Sequence, residues 1–226
     1  MARGISKGRC RSCGGEYSKS GMTRHLQTCQ APKATATGTV VRKIRPIRLL
    51  HLVVSGRYAP MYWMHLEAPA SATLADLDDF LRGAWLECCG HLSAFTIGGI
   101  SYASSVDTDW GMDDRGMDVK LGRVIAAGDE FRHEYDFGST TCLTLKAVSE
   151  HEGPVRGKGI EILAQNEPPP KPCDECGQEA TQVCSECSYS GGGWLCDQCS
   201  HTHECGEEML LPVVNSPRVG VCGYTG

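Results

Sequence analysis

Branched and aromatic residues occur in short runs in the middle of the chain, a composition that is typical of β-strands. Two of these runs flank Gly98 and Gly99, a pair that favours a tight hairpin. Two further runs would turn at Gly138 and Ser139. The pattern predicts six strands, at Ile47–Val54, Met61–Leu66, Ala94–Ile97, Ile100–Ala103, Glu130–Phe137 and Thr141–Val148.

The segment 71–88 has a helical spacing instead, because its apolar residues recur every three or four positions. Ser71 or Thr73 can cap the start of this helix, and Asp76 stands three residues after Thr73 as a capping-box partner. The order of strands and helix predicts an α+β fold with a mainly antiparallel sheet and one principal helix. The apolar positions of the helix are Leu74, Leu77, Leu81 and Trp85.

The cysteines change this picture most, because eleven of the fourteen lie near the two ends of the chain. They define a Cys/His module at 1–30 and a second one at 173–226. A small, polar and basic linker at 31–43 and a proline-rich spacer at 165–172 separate these modules from the centre. Residues 44–164 carry the apolar pattern of an independent core. We therefore expect an α+β domain flanked by small zinc-stabilised modules.

The composition indicates a globular protein that is neither exported nor embedded in a membrane. Hydrophobic residues make up 41% of the 226 residues. No apolar run approaches the length of about 20 residues that a membrane helix needs. The amino-terminal sequence MARGISKGRC lacks the apolar stretch of a secretory signal. We therefore expect a cytoplasmic protein, in which paired cysteines are metal ligands rather than disulfides.

Charge is distributed unevenly along the chain. Residues 1–57 carry twelve basic residues and one acidic residue, a net charge of +11, whereas the remainder carries ten against twenty-six, a net charge of −16. A basic segment on an acidic body favours contact with DNA, RNA or another polyanion at the amino terminus. The alternative is that the segment binds the acidic surface of its own chain. The candidate nucleic-acid contacts are Arg9, Arg11, Lys19, Arg24, Arg42, Lys43 and Arg45.

The spacing of Cys10, Cys13, His25 and Cys29 is close to that of a zinc finger whose last ligand is cysteine. A short helix over 23–28 would bring His25 and Cys29 to one face. Thirty residues cannot build a sufficient core, so bound zinc would supply the folding energy. A single finger contacts only about three base pairs, which favours phosphate contact or protein docking over sequence reading.

The carboxy-terminal module contains three consecutive Cys-x-x-Cys pairs, which resemble a B-box-type zinc module with interleaved ligand pairs. That resemblance implies that the first and third pairs bind one zinc ion and the second pair binds another. Two of His203, Cys205 and Cys222 would complete the second site, and His201 is the weakest candidate. The two end modules together would bind about three zinc ions, each structural because four protein ligands leave no open position. The pairs are Cys173 with Cys176, Cys184 with Cys187, and Cys196 with Cys199.

Three other interpretations of these cysteines are a single zinc ion with spare thiols, a redox-active Cys-x-x-Cys pair and an iron–sulfur cluster. In the central domain, Cys88, Cys89 and Cys142 belong to no Cys-x-x-Cys pair. His91 lies close to the first two and could indicate a nucleophile pair, but packing and capping at a helix end is the simpler interpretation. The Asp-Phe-Gly sequence at 136–138 indicates a turn between strands.

The central segment also contains three sequence patterns of a known family. They are P-A-x-x-T-L-x-D-L at Pro69–Leu77, H-L-x-x-F-x-I-G-G at His91–Gly99 and Y-D-F-G at Tyr135–Gly138. Over roughly residues 45–164 the chain resembles the plasmid pRiA4b ORF-3-like family, whose members are labelled as TnpR-like passengers of the IS1096 element. The resemblance implies an α+β fold and no particular reaction. Many members have an acidic residue and a tryptophan after the last pattern, where this chain has Ser139–Thr141, so no role of that acidic residue transfers.

Two zinc-stabilised modules without a catalytic constellation favour a non-enzymatic adaptor that contacts nucleic acid or a nucleoprotein assembly and also binds a protein partner. A protein-interaction scaffold without nucleic-acid binding is the alternative. An enzyme associated with a mobile element is the third interpretation. It would need a cleft that gathers Asp136, His91 and one of the aspartates between 107 and 118.

Overall fold

A computed structural model of the chain describes residues 6–29, 46–106, 114–154 and 159–226. Ten strands in these ranges form one sheet: β1 Lys7–Cys10, β2 Glu16–Ser18, β3 Ile47–Gly56, β4 Trp63–Pro69, β5 Ser93–Ile97, β6 Ile100–Ala103, β7 Arg115–Gly116, β8 Glu130–Tyr135, β9 Thr141–Gly153 and β10 Glu161–Asn166. Their order is β2-β1-β10-β4-β3-β9-β8-β5-β6-β7, and all neighbours are antiparallel except β6 and β7. The predicted α+β class with a mainly antiparallel sheet is confirmed.

The principal helix is shorter than the predicted segment 71–88, because it begins after residue 71 and ends before residue 88. The helix α1 spans Lys19–Cys29, and the principal helix α2 spans Leu74–Leu81 and continues as a π-helical turn, Arg82–Leu86. Thr73 Oγ1 accepts a hydrogen bond from the N–H of Asp76, whose Oδ2 accepts one from the N–H of Thr73. This complete capping box fixes the start of α2 at Leu74 and leaves Ser71 outside it. In the described ranges, no helix is long and apolar enough to cross a membrane.

The main hydrophobic core lies between α2 and one face of the sheet. The central strand β3 pairs with β4 on one side and with β9 on the other. Its side chains Leu50, Leu52 and Val54 are fully buried, and they pack in the same cluster as the apolar positions of α2. The short helix α3, Leu121–Val124, adds a further buried leucine to this cluster.

The amino-terminal module shares this sheet, because β1 pairs with β10 and places Gly8 opposite Asn166. A Cβ atom at Gly8 would lie 2.2 Å from the carbonyl oxygen of Gln165 and 2.5 Å from the ring of Trp63. Glycine at this position therefore permits the close approach of the two strands. The six residues of β10 extend across the predicted domain boundary at 164.

Helix α1 is longer than the predicted segment 23–28 and covers the junction of β1 and β10. Its buried residues Met22 and Leu26 pack with Trp63, Leu163 and Ala164 of the sheet. The finger therefore buries its apolar residues against the central domain, which no local sequence pattern indicates.

The carboxy-terminal module contains a separate sheet of three strands in the described part of the chain. Its strands are β11 Gln182–Cys184, β12 Trp194–Leu195 and β13 Leu210–Pro212, in the order β12-β11-β13. Two short helices, α4 Ser185–Ser188 and α5 Asp197–Ser200, and a 3-10 turn at Glu207–Met209 complete it. The tail that follows, residues 213–226, runs back to the central domain, where Ser216 Oγ donates a hydrogen bond to the carbonyl of Trp85.

Candidate metal centres

The four predicted finger ligands converge between the β1–β2 turn and α1. Cys10 Sγ lies 3.9 Å from Cys29 Sγ, and Cys13 Sγ lies 3.2 Å from His25 Nε2. His25 and Cys29 are four residues apart on α1, so both side chains reach the same face of the helix. The N–H of Gly15 donates to Cys13 Sγ at 3.4 Å and helps to orient it.

A second group contains the first and third cysteine pairs of the terminal module, Cys173 with Cys176 and Cys196 with Cys199. Cys176 Sγ lies 3.6 Å from Cys196 Sγ. Burial acts to raise the pKa of Cys173, but hydrogen bonds from the backbone N–H groups of Cys196, Cys176 and Glu175 lower it to about 6. These backbone donors favour a thiolate, which is the form that binds metal.

The third group consists of Cys184, Cys187, His203 and Cys205. Cys187 Sγ lies 3.6 Å from His203 Nε2 and 3.7 Å from Cys205 Sγ. Burial acts to raise the pKa of Cys184, but the backbone N–H of Cys187 and the side chain of His203 lower it to about 7. The structure thus selects His203 and Cys205 from the three candidates for the last two ligands.

The two remaining terminal candidates lie elsewhere. The His201 side chain is 74% exposed, and its Nδ1 lies 3.8 Å from a carboxylate oxygen of Glu207. Cys222 is part of a fourth group, together with Cys88, Cys89 and His91 of the central domain. The sequence favoured packing and capping at a helix end for Cys88, Cys89 and His91, and it did not predict that they contact Cys222. No local spacing could reveal the group, because 131 positions separate His91 from Cys222.

The donor atoms fit a tetrahedral zinc ion. Zn–S bonds of about 2.3 Å and Zn–N bonds of about 2.0–2.1 Å place neighbouring sulfurs about 3.8 Å apart and sulfur and nitrogen about 3.6 Å apart. In the finger group and the two groups of the terminal module, the sulfur–sulfur contacts Cys10–Cys29, Cys176–Cys196 and Cys187–Cys205 are 3.6–3.9 Å long. The sulfur–nitrogen contacts of His25 and His203 are 3.2 and 3.6 Å, and all four donor atoms of each group lie within 4.8 Å of one another. No disulfide joins any of the fourteen cysteines, all of which lie in the described ranges. The groups are therefore compatible with zinc binding.

The predicted nucleic-acid contacts differ in how accessible their charge is. Arg9 forms ion pairs with Glu16 at 3.0 Å and with Glu167 at 3.1 Å. Lys19 lies against Ser55, and partial burial lowers its pKa. Arg11 and Arg24 are exposed. The three remaining candidates, Arg42, Lys43 and Arg45, lie outside the described residues.

Asp136 and His91, two of the groups that an enzyme would need, do come close together. His91 Nε2 lies 3.7 Å from Asp136 Oδ2. However, Asp136 Oδ2 accepts a hydrogen bond at 2.7 Å from Arg218, and Oδ1 accepts from the N–H groups of Gly138 and Ser139. The same contacts confirm the turn predicted at 136–138 and give Asp136 a structural role.

No protein-family model and no curated protein matches this chain. Among solved structures, the chain is similar to the protein of unknown function MM3350 from Methanosarcina mazei Go1, with 18% sequence identity and a TM-score of 0.45. The similarity covers 52% of this chain and 68% of that chain. The resemblance to the pRiA4b ORF-3-like family therefore stays a prediction.

Proposed function

We propose that this protein is a non-enzymatic, zinc-binding adaptor of the cytoplasm that contacts nucleic acid through its amino-terminal finger and the basic segment after it. The observation that supports the zinc-binding role best is the donor set of the three end groups. Each group supplies four protein ligands, so a bound zinc ion would have no open position for water or substrate. Zinc in such sites stabilises a fold rather than activating water.

The nucleic-acid part of the proposal depends on two exposed arginines of the finger. Arg11 lies in the turn between the first two ligands, and Arg24 lies on α1. The pairing of β1 with β10 holds the finger on the sheet, so both guanidinium groups extend from a fixed platform. Arg9 contributes less, because two carboxylates already neutralise it. Phosphate groups are the ligands that such exposed arginines recognise without reading a sequence.

Binding of the full chain to labelled random-sequence DNA and RNA over a salt series tests this proposal. We expect R11A/R24A to weaken binding and to lower the slope of log affinity against log salt by about 0.7–0.9 for each phosphate that the variant no longer neutralises. The variant R42A/K43A/R45A tests the basic segment in the same way.

A matched control removes two positive charges from another part of the sheet. Arg132 on β8 and Lys146 on β9 are exposed and lie five and four strands from β1, or about 24 and 19 Å. We expect R132A/K146A to bind as the unchanged protein does. Equal loss of affinity in both variants, binding that is insensitive to salt, or no binding would contradict the nucleic-acid role.

A protein-interaction scaffold is the second candidate, and one surface feature favours it. Phe137 and Leu92 are 58% and 51% exposed and line one groove beside β5 and β6. Exposed apolar side chains that share a groove are typical of protein contacts. If this candidate is correct, partners will survive nuclease treatment, will be lost with L92S/F137S and will be kept with R11A/R24A. Partners that are lost on nuclease treatment and with R11A/R24A, but kept with L92S/F137S, would favour the nucleic-acid role.

A further inference from the structure

The fourth group of donors joins two distant parts of the chain. Cys88, Cys89 and His91 follow the π-helical turn at the end of α2, and Cys222 lies in the carboxy-terminal tail. All four donor atoms lie within 4.8 Å of one another, and His91 Nε2 lies 3.3 Å from Cys222 Sγ. This geometry is close to that of the three end groups, and the donor set of three thiols and one imidazole is the same as in two of them.

Two residues with positive φ angles lie where the backbone brings these side chains together. Gly90, between Cys89 and His91, has a φ of +70°. Cys222 itself has a φ of +49°, a left-handed conformation that is unfavourable for a residue with a side chain. Such a conformation persists only where other contacts impose it. The tail therefore makes an unfavourable turn at the position that brings its thiol to the other three donors.

Contacts before Cys222 hold the tail against the central domain. Asn215 Nδ2 donates to the carbonyl of Asn166, and Ser216 Oγ donates to the carbonyl of Trp85. Arg218 is fully buried and ion-pairs with Asp136. The thiol of Cys222 is thus positioned by a network that does not itself need a metal.

We propose that Cys88, Cys89, His91 and Cys222 form a fourth zinc site, which fastens the carboxy-terminal tail to the central domain. Thiolates and imidazole select zinc over magnesium or calcium, which prefer oxygen ligands. Binding would transfer the three thiol protons to solvent, so that the site would carry one net negative charge. Arg218 Nη2 lies 3.3 Å from Cys88 Sγ and stabilises that charge.

Two other uses of the group fit the geometry less well. In a Cys-His-Asp triad, the carboxylate binds one ring nitrogen and the thiol binds the other. Here both Cys222 Sγ and Asp136 Oδ2 lie closest to the same nitrogen, His91 Nε2. A Cys88–Cys89 disulfide would remove two of the four donors, and both cysteines are free thiols in the structure.

Counting zinc ions per chain by native mass spectrometry tests the fourth site. We expect four ions in the unchanged protein and three in C89S and in C222S. The double variant C89S/C222S should also hold three, because both ligands serve one ion. The control C142S removes a half-buried thiol that lies outside all four groups and should keep four. Cys89 is exposed, so its replacement by serine tests the site even if C222S folds poorly.

Three ions in the unchanged protein, with no loss in C89S or C222S, would overturn the fourth site and leave the three end sites intact. In the denatured, metal-free chain, a mass lower by two hydrogens that C89S or C222S abolishes would reveal a disulfide within this group and would also overturn it. A second readout is amide exchange in residues 219–226, which follow the contacts of Arg218 and should become faster in C89S although Cys89 is far from the tail in sequence. Unchanged exchange there would contradict the fastening role.

Discussion

Arg218 Nη2 lies 2.7 Å from Asp136 Oδ2, and both side chains are buried. Arg218 also donates to the carbonyl of Ser139 and to Thr141 Oγ1, so one tail residue binds the whole β8–β9 turn. Burial acts to raise the pKa of Asp136, but Arg218 and the N–H groups of Ser139 and Gly138 hold it below its usual range. The tail is therefore part of the central core.

Replacing Arg218 by methionine should lower the free energy of unfolding by about 3–5 kcal/mol, because Asp136 would be left as a buried, unpaired charge. Denaturant unfolding of the purified chain measures this loss. Arg48 and Glu150 provide the control, since their pair at 2.7 Å is more exposed. R48M should change the free energy by at most about 1 kcal/mol. Equal effects of the two substitutions would contradict the buried role of Arg218.

Removing one finger ligand, in C13S, should release the edge of the sheet. The apolar core of the finger contains only a few side chains, so β1 and α1 depend on the metal for their stability. We expect faster amide exchange in Lys7–Cys10 and in α1, with the pairing of β3 and β9 unaffected. C142S serves as the thiol control. Unchanged exchange in β1 would show that the sheet alone holds the finger.

The capping box predicts different effects at two neighbouring positions. T73A should lower the free energy of unfolding by about 1 kcal/mol, because the N–H of Asp76 loses its acceptor. S71A should stay within about 0.5 kcal/mol, since Ser71 is exposed and lies outside the box. Chemical denaturation of both variants measures these changes. A larger loss of unfolding free energy in S71A than in T73A would contradict the assignment of Thr73 as the helix cap.

The buried pair of His51 and His65 should make the fold sensitive to acid. His51 Nε2 lies 2.9 Å from His65 Nδ1, so one ring donates an N–H to the other and the accepting ring must be neutral. Burial, with a smaller contribution from His151, lowers the pKa of His51 to about 4. Burial, followed by the charges of His51 and Lys19, lowers the pKa of His65 to about 3 although a backbone hydrogen bond opposes it.

The unfolded chain binds these protons at a pKa of about 6.5, so this contribution to stability is complete above that pH. It is lost as the pH falls from about 6.5 towards the folded values. Because acid also protonates metal ligands, the ring-proton shifts of the two histidines measure the effect more directly than unfolding does. Both rings should stay neutral at pH 5. A midpoint near 6.5 for either ring would contradict the buried pair.

Sequence patterns predicted the elements that depend on interactions between residues close together in the chain. The hairpin at Gly98 and Gly99 and the ligand set of the finger follow from spacing, and Thr73 is one of the two caps that the sequence offers. The ligand set of the first terminal site was implied by the resemblance to a B-box module. The docking of β1 on β10 was not predictable, because it depends on a close approach at Gly8 to a strand more than 150 residues away. The position of Cys222 depends in the same way on a contact with His91, which lies 131 positions away in the sequence.

The most direct test of zinc as the stabilising element is anomalous diffraction from crystals of the full chain, recorded on both sides of the zinc absorption edge. We expect one zinc peak at the centre of each end group and one between His91 and Cys222. Each peak should have four protein donors at about 2.0–2.3 Å. An absence of zinc peaks from the end groups, or disulfide bonds within them, would contradict the claim that metal stabilises this fold.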